Sequence, residues 1–177
     1  KSKGIFDFRR VNSGKEYTVI CAKDSTEKAH YFIYQENPAS YIVIDLTDGT
    51  DVYRGEKEIT TKVMLSYGEI RSSLSGSVEQ LGISPRVSIK LAEIYAWTID
   101  FFKIQKGDAF NVYYENNYID GEYIGIGRIL AAEFIHKNQK FYSFYYKEND
   151  NYGEYFDEKG RTLRKAFLKA PLDFYRI

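Results

Sequence analysis

The sequence predicts an α+β protein built from two related β-rich modules of antiparallel strands, the second carrying a two-helix insert. Three observations predict this class. In both halves of the chain, Tyr, Phe, Val and Ile occur in short alternating runs that suit a pleated sheet. Between these runs, over about residues 72–98, apolar residues recur at helical spacing. Strands and helices do not alternate along the chain, so the helices are expected to be segregated from the strands.

The first part of the chain is predicted to form strands separated by turns. Turn signals lie at Asn12-Ser13-Gly14, Glu36-Asn37-Pro38 and Asp48-Gly49. A longer extended stretch follows from Glu56 to Leu65. The strand-like runs before it cover residues 5–11, 16–22, 30–35, 40–46 and 51–53.

The helical segment is predicted to contain two short helices. Leu74, Val78 and Leu81 are spaced for one face of the first helix, and Gly82 supplies a stop. Ser84-Pro85 provides an N-cap and first-turn pair for the second helix, which should end near Trp97. The residues that mark one face of this second helix are Val87, Leu91, Ile94, Tyr95 and Thr98.

From Asp108 the pattern returns to strands. Turn signals lie at Asp120-Gly121, Lys137-Asn138 and Glu158-Lys159-Gly160. Gly125-Ile126-Gly127 lacks the third glycine and following helix of a phosphate loop, so a bulge or close backbone approach is expected there. The predicted strands cover residues 108–115, 122–126, 128–136, 140–147 and 154–156.

An internal repeat relates the two modules. Residues 6–19 align with residues 99–112 without a gap, and most aligned pairs keep their character. The identical pairs are Asp7/Asp100, Phe8/Phe101, Gly14/Gly107 and Val19/Val112. We therefore predict an incomplete first module over 1–57 and a second module over 58–177. Because helices precede only the second copy, we expect this chain to be a fragment that lacks the helices of its first module.

Composition excludes several classes of protein. The chain of 177 residues carries 25 Lys and Arg against 25 Asp and Glu, and this neutral balance argues against nucleic-acid binding. No apolar run is long enough to span a bilayer. The single cysteine, Cys21, lies in an apolar strand and is expected to be a buried, inert thiol.

No catalytic or metal-binding constellation emerges from the motifs. His30 and His136 are the only histidines, and neither has a second His or Cys nearby, so a zinc site is not expected. Asp100 and Asp108 flank a turn, where carboxylates usually bond to the local backbone. No Gly-x-Ser-x-Gly motif is present. We therefore expect no catalytic residue, cofactor or metal in this chain.

The aromatic content leaves two interpretations open. The chain contains 17 Tyr and 12 Phe, most of them in strands. Packing within and on the sheets is the commoner role of such residues. The alternative is a platform on which sugar rings or bases stack.

A family resemblance is carried by six stretches of the sequence, namely 68–74, 91–101, 106–110, 120–122, 127–134 and 164–172. These stretches resemble the non-catalytic N-terminal region of periplasmic murein metallopeptidases of the lysostaphin (LytM) type. Such enzymes carry LysM-like, opacity-associated-protein-like domains before the peptidase domain. The resemblance covers residues 67–177 closely and 1–66 more loosely, and the Tyr-rich composition resembles members from Bacteroidetes.

The resemblance implies that this chain is not itself an enzyme. In the family, zinc is held by His-x-x-x-Asp and His-x-His motifs in the following catalytic domain, and neither motif occurs here. It implies a regulatory or targeting region in the periplasm or cell envelope that occludes the groove of its own C-terminal peptidase domain. The alternative is a peptidoglycan- or glycan-binding module without an inhibitory role, and a self-sufficient enzyme is a third, disfavoured hypothesis. Candidate contacts to the peptidase domain or the wall are exposed aromatic residues and the hairpin at 116–121, namely Tyr113, Tyr114, Asn116, Tyr118 and Tyr145.

Overall fold

The computed structural model describes residues 4–7, 9, 11–149 and 152–164. Within these residues the secondary structure consists of nine strands, two α-helices and a short 3-10 turn at Phe101–Lys103. The strands and helices are β1 Tyr17–Cys21, β2 Ala29–Gln35, β3 Ser40–Asp45, β4 Asp51–Glu56, β5 Thr60–Glu69, α1 Leu74–Gln80, α2 Arg86–Tyr95, β6 Ala109–Ile119, β7 Glu122–His136, β8 Gln139–Asn149 and β9 Tyr152–Phe156.

The first compact unit contains Lys1–Thr61 and Asn117–Ile124. Its sheet has the strand order β1-β2-β3-β4, and each neighbouring pair is antiparallel. Tyr34 and Ile42 are buried and lie opposite each other in β2 and β3. The ring of Phe6 packs 5.6 Å from that of Tyr34, and the Asn12 N–H donates to the Tyr34 hydroxyl at 3.0 Å. The segment before β1 therefore covers one face of this sheet.

The second unit contains Lys62–Asn116 and Gly125–Ile177 and holds most of a sheet with the order β5-β6-β7-β8-β9. Its core joins the two helices to one face of the sheet. Tyr95 of α2 is fully buried and donates its hydroxyl hydrogen towards the carbonyls of Ala132 and Phe141, at 2.9 and 3.0 Å. Other core residues are Val78, Leu91, Phe110, Val112, Ile129 and Phe134.

Strand alternation divides the side chains of this sheet between two faces. Phe141, Ser143 and Tyr145 of β8 lie on the helix-facing side, where Ser143 is fully buried. The intervening residues of β8 lie on the opposite side, which we call the outer face. The fold class is thus confirmed, with two antiparallel sheets and a helix pair inside the predicted 72–98 insert.

Two strand predictions were wrong in detail. The described residues of 5–11 form no strand; Gly4 has a φ of 97°, and the Asp7 carboxylate accepts the Arg9 N–H at 3.1 Å, which closes a local turn. The predicted strands 122–126 and 128–136 form one continuous strand, β7, which passes through Gly125 at a φ of 139°. A glycine tolerates this conformation without ending the strand.

The helix predictions were correct in position and wrong at their edges. Leu81 follows α1 and is 41% exposed, although Leu74 and Val78 are buried as predicted. Thr98 lies beyond α2 and is exposed. The Ser73 hydroxyl caps α1 by accepting the Gly76 N–H at 3.1 Å, a cap that the sequence analysis did not identify.

The two segments of the proposed repeat share local features. The carboxylates of Asp7 and Asp100 each accept the N–H of the residue two positions later, both at 3.1 Å. Gly14 and Gly107 both have positive φ, at 81° and 94°, before the first strand of a four-stranded meander. A common origin of the two modules, and the domain boundary at 57, stay predictions.

Candidate functional site

The candidate contact residues on β6 occupy different environments. Tyr113 is 46% exposed on the outer face, whereas Tyr114 is buried with its hydroxyl 3.5 Å from the Ser66 hydroxyl. The Oδ1 atom of Asn116 is buried and accepts no hydrogen bond from the described part of the chain. These residues therefore do not form one continuous surface.

The remaining two candidates each contact other aromatic or cationic side chains. The ring of Tyr118 meets that of Tyr123 edge to face at 5.8 Å near the tip of the β6–β7 hairpin. Tyr145 lies on the helix-facing side, with the Arg128 guanidinium 4.3 Å from its ring centre. Its ring also covers Gly153, where an added Cβ would lie 1.8 Å from the Tyr145 hydroxyl. The geometry gives Tyr145 a packing role, and a contact role for these residues stays a prediction.

A contiguous group of aromatic side chains lies instead on the outer face of β8 and β9. We call Tyr142, Phe144, Tyr146 and Phe156 the outer aromatic strip. Phe144 lies directly opposite Phe156 and is 46% exposed, and Tyr146 is 62% exposed. The rings of Tyr142 and Phe144 are 6.4 Å apart and tilted by only 14°, and those of Tyr146 and Phe156 are 6.3 Å apart. An exposed apolar patch of this kind commonly marks a binding surface.

A polar cluster borders one end of the strip. The Glu133 carboxylate accepts hydrogen bonds from the Asn111 amide at 2.7 Å and from the Lys140 ammonium at 2.8 Å. Glu133 lies directly opposite Tyr142. The hydrogen bond from Lys140 is the main cause of a lowered pKa at Glu133, and this same contact raises the pKa of Lys140. The cluster thus presents a fixed ion pair beside the rings.

Asp108 forms a second polar centre, which has a structural role. Its carboxylate lies 2.6 Å from His136 Nδ1 and accepts the backbone N–H groups of Gln105 and Lys137 at 2.8 and 3.0 Å. Burial opposes ionisation, but the three hydrogen bonds outweigh it and lower the pKa of Asp108. The carboxylate therefore ties the turn before β6 to the β7–β8 turn. It also bonds to the local backbone, as predicted from the sequence.

A groove of about 490 Å³ lies between the end of α2 and β9. Trp97 lines it and is 48% exposed, and charged side chains of both signs, including Glu93 and Arg164, surround it. Trp97 is the single tryptophan of the chain and also lines a second cavity over residues 92–102, so its fluorescence reports on the surface around the end of α2.

The prediction that Cys21 is a buried thiol was wrong. Cys21 is exposed, because it lies on β1, the edge strand of the first sheet. In residues 4–7, 9, 11–149 and 152–164, no group of three His, Cys, Asp or Glu side chains could hold a metal ion. The helices of this described part are all too short or too polar to cross a membrane.

Sequence reasoning missed the outer aromatic strip because residues 141–146 are aromatic on both faces of β8. Alternation showed which of them share a face, and only the position of the helices determined which face is covered. Tyr145 was therefore selected from the covered side, whereas Tyr142, Phe144 and Tyr146 lie on the open side.

Comparison with known proteins shows relatives that are longer than this chain. The peptidoglycan DD-endopeptidase ShyC of Vibrio cholerae is 37% identical over 123 residues, covering 69% of this chain and 28% of ShyC. The DD-carboxypeptidase/endopeptidase Mpg of Neisseria meningitidis is 27% identical over 184 residues, covering all of this chain and 43% of Mpg. The chain thus spans less than half of either relative.

Solved structures share the fold. A zinc-containing peptidase from Vibrio cholerae superimposes with a TM-score of 0.69 at 19% identity, over 89% of this chain and 48% of that protein. Csd3 of Helicobacter pylori superimposes with a TM-score of 0.64 at 17% identity, over 83% of this chain and 40% of Csd3. The model of the Csd3 second domain matches residues 57–177. Since this match covers more than half of the sequence, the chain belongs to the Csd3 second-domain family.

Proposed function

We propose that this chain is the non-catalytic regulatory and targeting region of a peptidoglycan endopeptidase. It would occlude the catalytic groove of a zinc peptidase domain in the same polypeptide. The observation that carries the proposal is the match of residues 57–177 to a domain found within larger proteins. The name of ShyC, a peptidoglycan DD-endopeptidase, supports the substrate class.

Occlusion requires only that this region contact the peptidase more favourably in a closed state than in an open state. A difference of about 3 kcal/mol would leave roughly one molecule in a hundred open. We further propose that the polypeptide acts in the periplasm or cell envelope, that zinc is held by its peptidase domain, and that the first unit is LysM-like.

The experiment measures hydrolysis of purified cross-linked muropeptides by the peptidase domain encoded with this chain. Adding the purified chain should slow hydrolysis in a saturable way, and the chain alone should release no product. An unrelated β-sheet protein of similar size serves as the control. Hydrolysis by the chain alone, or an unchanged rate at saturating chain concentration, would contradict the proposal.

A second candidate function is binding to peptidoglycan without inhibition. The observation that favours it is the outer aromatic strip, because flat exposed rings beside fixed polar groups suit sugar recognition. Sedimentation with insoluble sacculi separates the two functions, since a domain that only occludes the peptidase should stay in the supernatant. The two functions are compatible within one protein.

A further inference from the structure

We propose that the outer aromatic strip is a glycan-binding site on which the sugar rings of a hexopyranose chain stack against Phe144 and Tyr146. This inference rests on the second candidate function and assigns its ligand and its residues. The ligand it names is the glycan strand of peptidoglycan, and the stem peptides are not required for binding.

The spacing of the rings suits a linear ligand. Tyr142, Phe144 and Tyr146 alternate along one face of β8, so their side chains follow one another at intervals of about 7 Å. The rings of Tyr142 and Phe144 are nearly parallel, at 14°, with their centres 6.4 Å apart. A pyranose ring presents a face of C–H bonds that packs on an aromatic ring while its hydroxyl groups point outwards. The strip therefore fits successive sugars of one chain.

The neighbouring side chains leave the rings accessible. Ala131 of β7 lies directly opposite Phe144, and its methyl group is too small to cover the phenyl ring. On the other side, Phe156 lies directly opposite Phe144, and its ring meets that of Tyr146 edge to face at 75°. Aromatic side chains thus line both strands, and the strip is open towards β7.

Polar groups for the sugar hydroxyls lie at the Tyr142 end. Asn111 and Lys140 already hold the Glu133 carboxylate by hydrogen bonds of 2.7 and 2.8 Å, so the carboxylate has a fixed position. The Lys140 side chain is 56% exposed and has further N–H donors for a ligand. A pre-arranged polar cluster beside an aromatic surface orients a ligand with many hydroxyl groups.

The charges around the strip favour a neutral ligand. Glu133 and Glu154 lie on the outer face opposite Tyr142 and Tyr146, whereas Lys140 is the cation paired with Glu133. A nucleic acid would also stack on aromatic rings, but its phosphates need an excess of cations. The charged side chains around the strip sum to a neutral or negative charge, which fits a glycan better than a polyanion.

The scaffold beneath the strip is rigid, so little order has to be gained on binding. On the helix-facing side of the same two strands, the Tyr155 hydroxyl donates to the Ile129 carbonyl at 3.0 Å. The rings of Tyr145 and Tyr155 meet edge to face at 5.4 Å. Fixing the strands in this way lowers the entropic cost of presenting Phe144 and Tyr146.

The test measures binding of the complete chain to glycan strands that an amidase has released from sacculi by removing their stem peptides. A soluble hexamer of N-acetylglucosamine serves as a second probe. The variant Phe144→Ala/Tyr146→Ala removes the two most exposed rings of the strip. The matched control Tyr53→Ala/Phe102→Ala removes one exposed Tyr and one exposed Phe that lie outside the five-stranded sheet. Circular dichroism and thermal unfolding confirm that both variants are folded.

The chain should bind the peptide-free glycan strands and the hexamer, with affinity weakened at least about tenfold in the strip variant and unchanged in the control. Equal binding by both variants would overturn the inference. So would binding to intact sacculi alone, which would make the stem peptide the ligand. Quenching of Trp97 fluorescence with unchanged affinity in the strip variant would assign binding to the surface around the end of α2 and would also overturn the inference. Absence of binding would overturn this site but leave inhibition of the peptidase untouched, because hydrolysis is measured separately.

Discussion

Phe144 lies directly opposite Phe156 across β8 and β9, yet nearly half of its surface is exposed to solvent. Phe134, on the helix-facing side of the neighbouring strand β7, is fully buried. Two phenylalanines of one sheet therefore contribute very differently to its stability. The difference separates a residue that holds the fold together from one that is available for contact.

Truncating these two rings should have unequal effects. Phe134→Ala should lower the free energy of unfolding by about 3–5 kcal/mol, because it opens a cavity in the core. Phe144→Ala should lower it by only about 1–2 kcal/mol, since nearly half of the residue already faces water. Urea unfolding followed by circular dichroism measures both. Equal losses would show that the outer aromatic strip is part of the structural core.

The hydroxyl of Tyr95 should stabilise the packing of α2 on the sheet. Tyr95→Phe leaves the carbonyls of Ala132 and Phe141 without this donor and should cost about 1–3 kcal/mol. Burial also raises the pKa of the Tyr95 hydroxyl, so it stays protonated at neutral pH and can donate. Tyr113→Phe, on an exposed ring, is the control and should change stability by no more than about 0.5 kcal/mol. An unchanged free energy of unfolding in Tyr95→Phe would indicate that water replaces the hydroxyl.

Asp108 should make stability depend on acid pH. Its pKa is lowered in the folded state, so the carboxylate stabilises the fold fully above the unfolded value of 3.8, and this contribution is lost as the pH falls through the folded-state pKa. At pH 7, Asp108→Asn should cost about 1–3 kcal/mol, because the amide cannot accept all the donors that face it. The difference in stability between Asp108→Asn and the wild type should shrink below about pH 4, where the wild-type carboxylate becomes protonated.

Thermal unfolding across pH 2.5–7 tests this assignment, because this range brackets the ordinary aspartate pKa of 3.8. Asp120→Asn is the control, since the Asp120 side chain is 78% exposed and contacts only the Lys57 ammonium among the ion pairs described. A constant difference between Asp108→Asn and wild type across this range would mean that Asp108 is not ionised in the folded protein.

Gly68 should be intolerant of a side chain. A Cβ at this position would lie 2.5 Å from the ring of Phe110, which is fully buried. Gly68→Ala should therefore cost about 1–3 kcal/mol through overpacking. In the double variant with Phe110→Leu, part of that cost should be recovered, giving a coupling of at least about 0.5 kcal/mol. Strictly additive effects would show that the ring moves aside freely.

Local patterns in the sequence were sufficient for most elements. The strands near 30–35 and 40–46 and both helices follow from alternation and helical spacing, which neighbouring residues determine. The segment 5–11 has the same alternation, but the Asp7 turn competes with strand pairing. Cys21 has apolar neighbours in sequence but lies on an edge strand, and edge position depends on the order of strands in the sheet.

The candidate site was harder to predict than the fold. Tyr114 and Tyr145 were chosen because they are aromatic residues in strands, and the structure places both on the helix-facing side of the sheet. Which side the helices cover is a long-range property that residue spacing does not contain. The origin in Bacteroidetes and the relation between the two modules likewise stay predictions from composition and alignment.

The proposed restraint of a peptidase domain by this region is tested most directly in a polypeptide that contains both. The measurement is the rate of cross-link hydrolysis on purified muropeptides, compared between that polypeptide and a version from which this region has been deleted. We predict that deletion raises the rate by about tenfold or more, corresponding to at least about 1.4 kcal/mol of closed-state stabilisation. An equal or lower rate after deletion would contradict an occluding role.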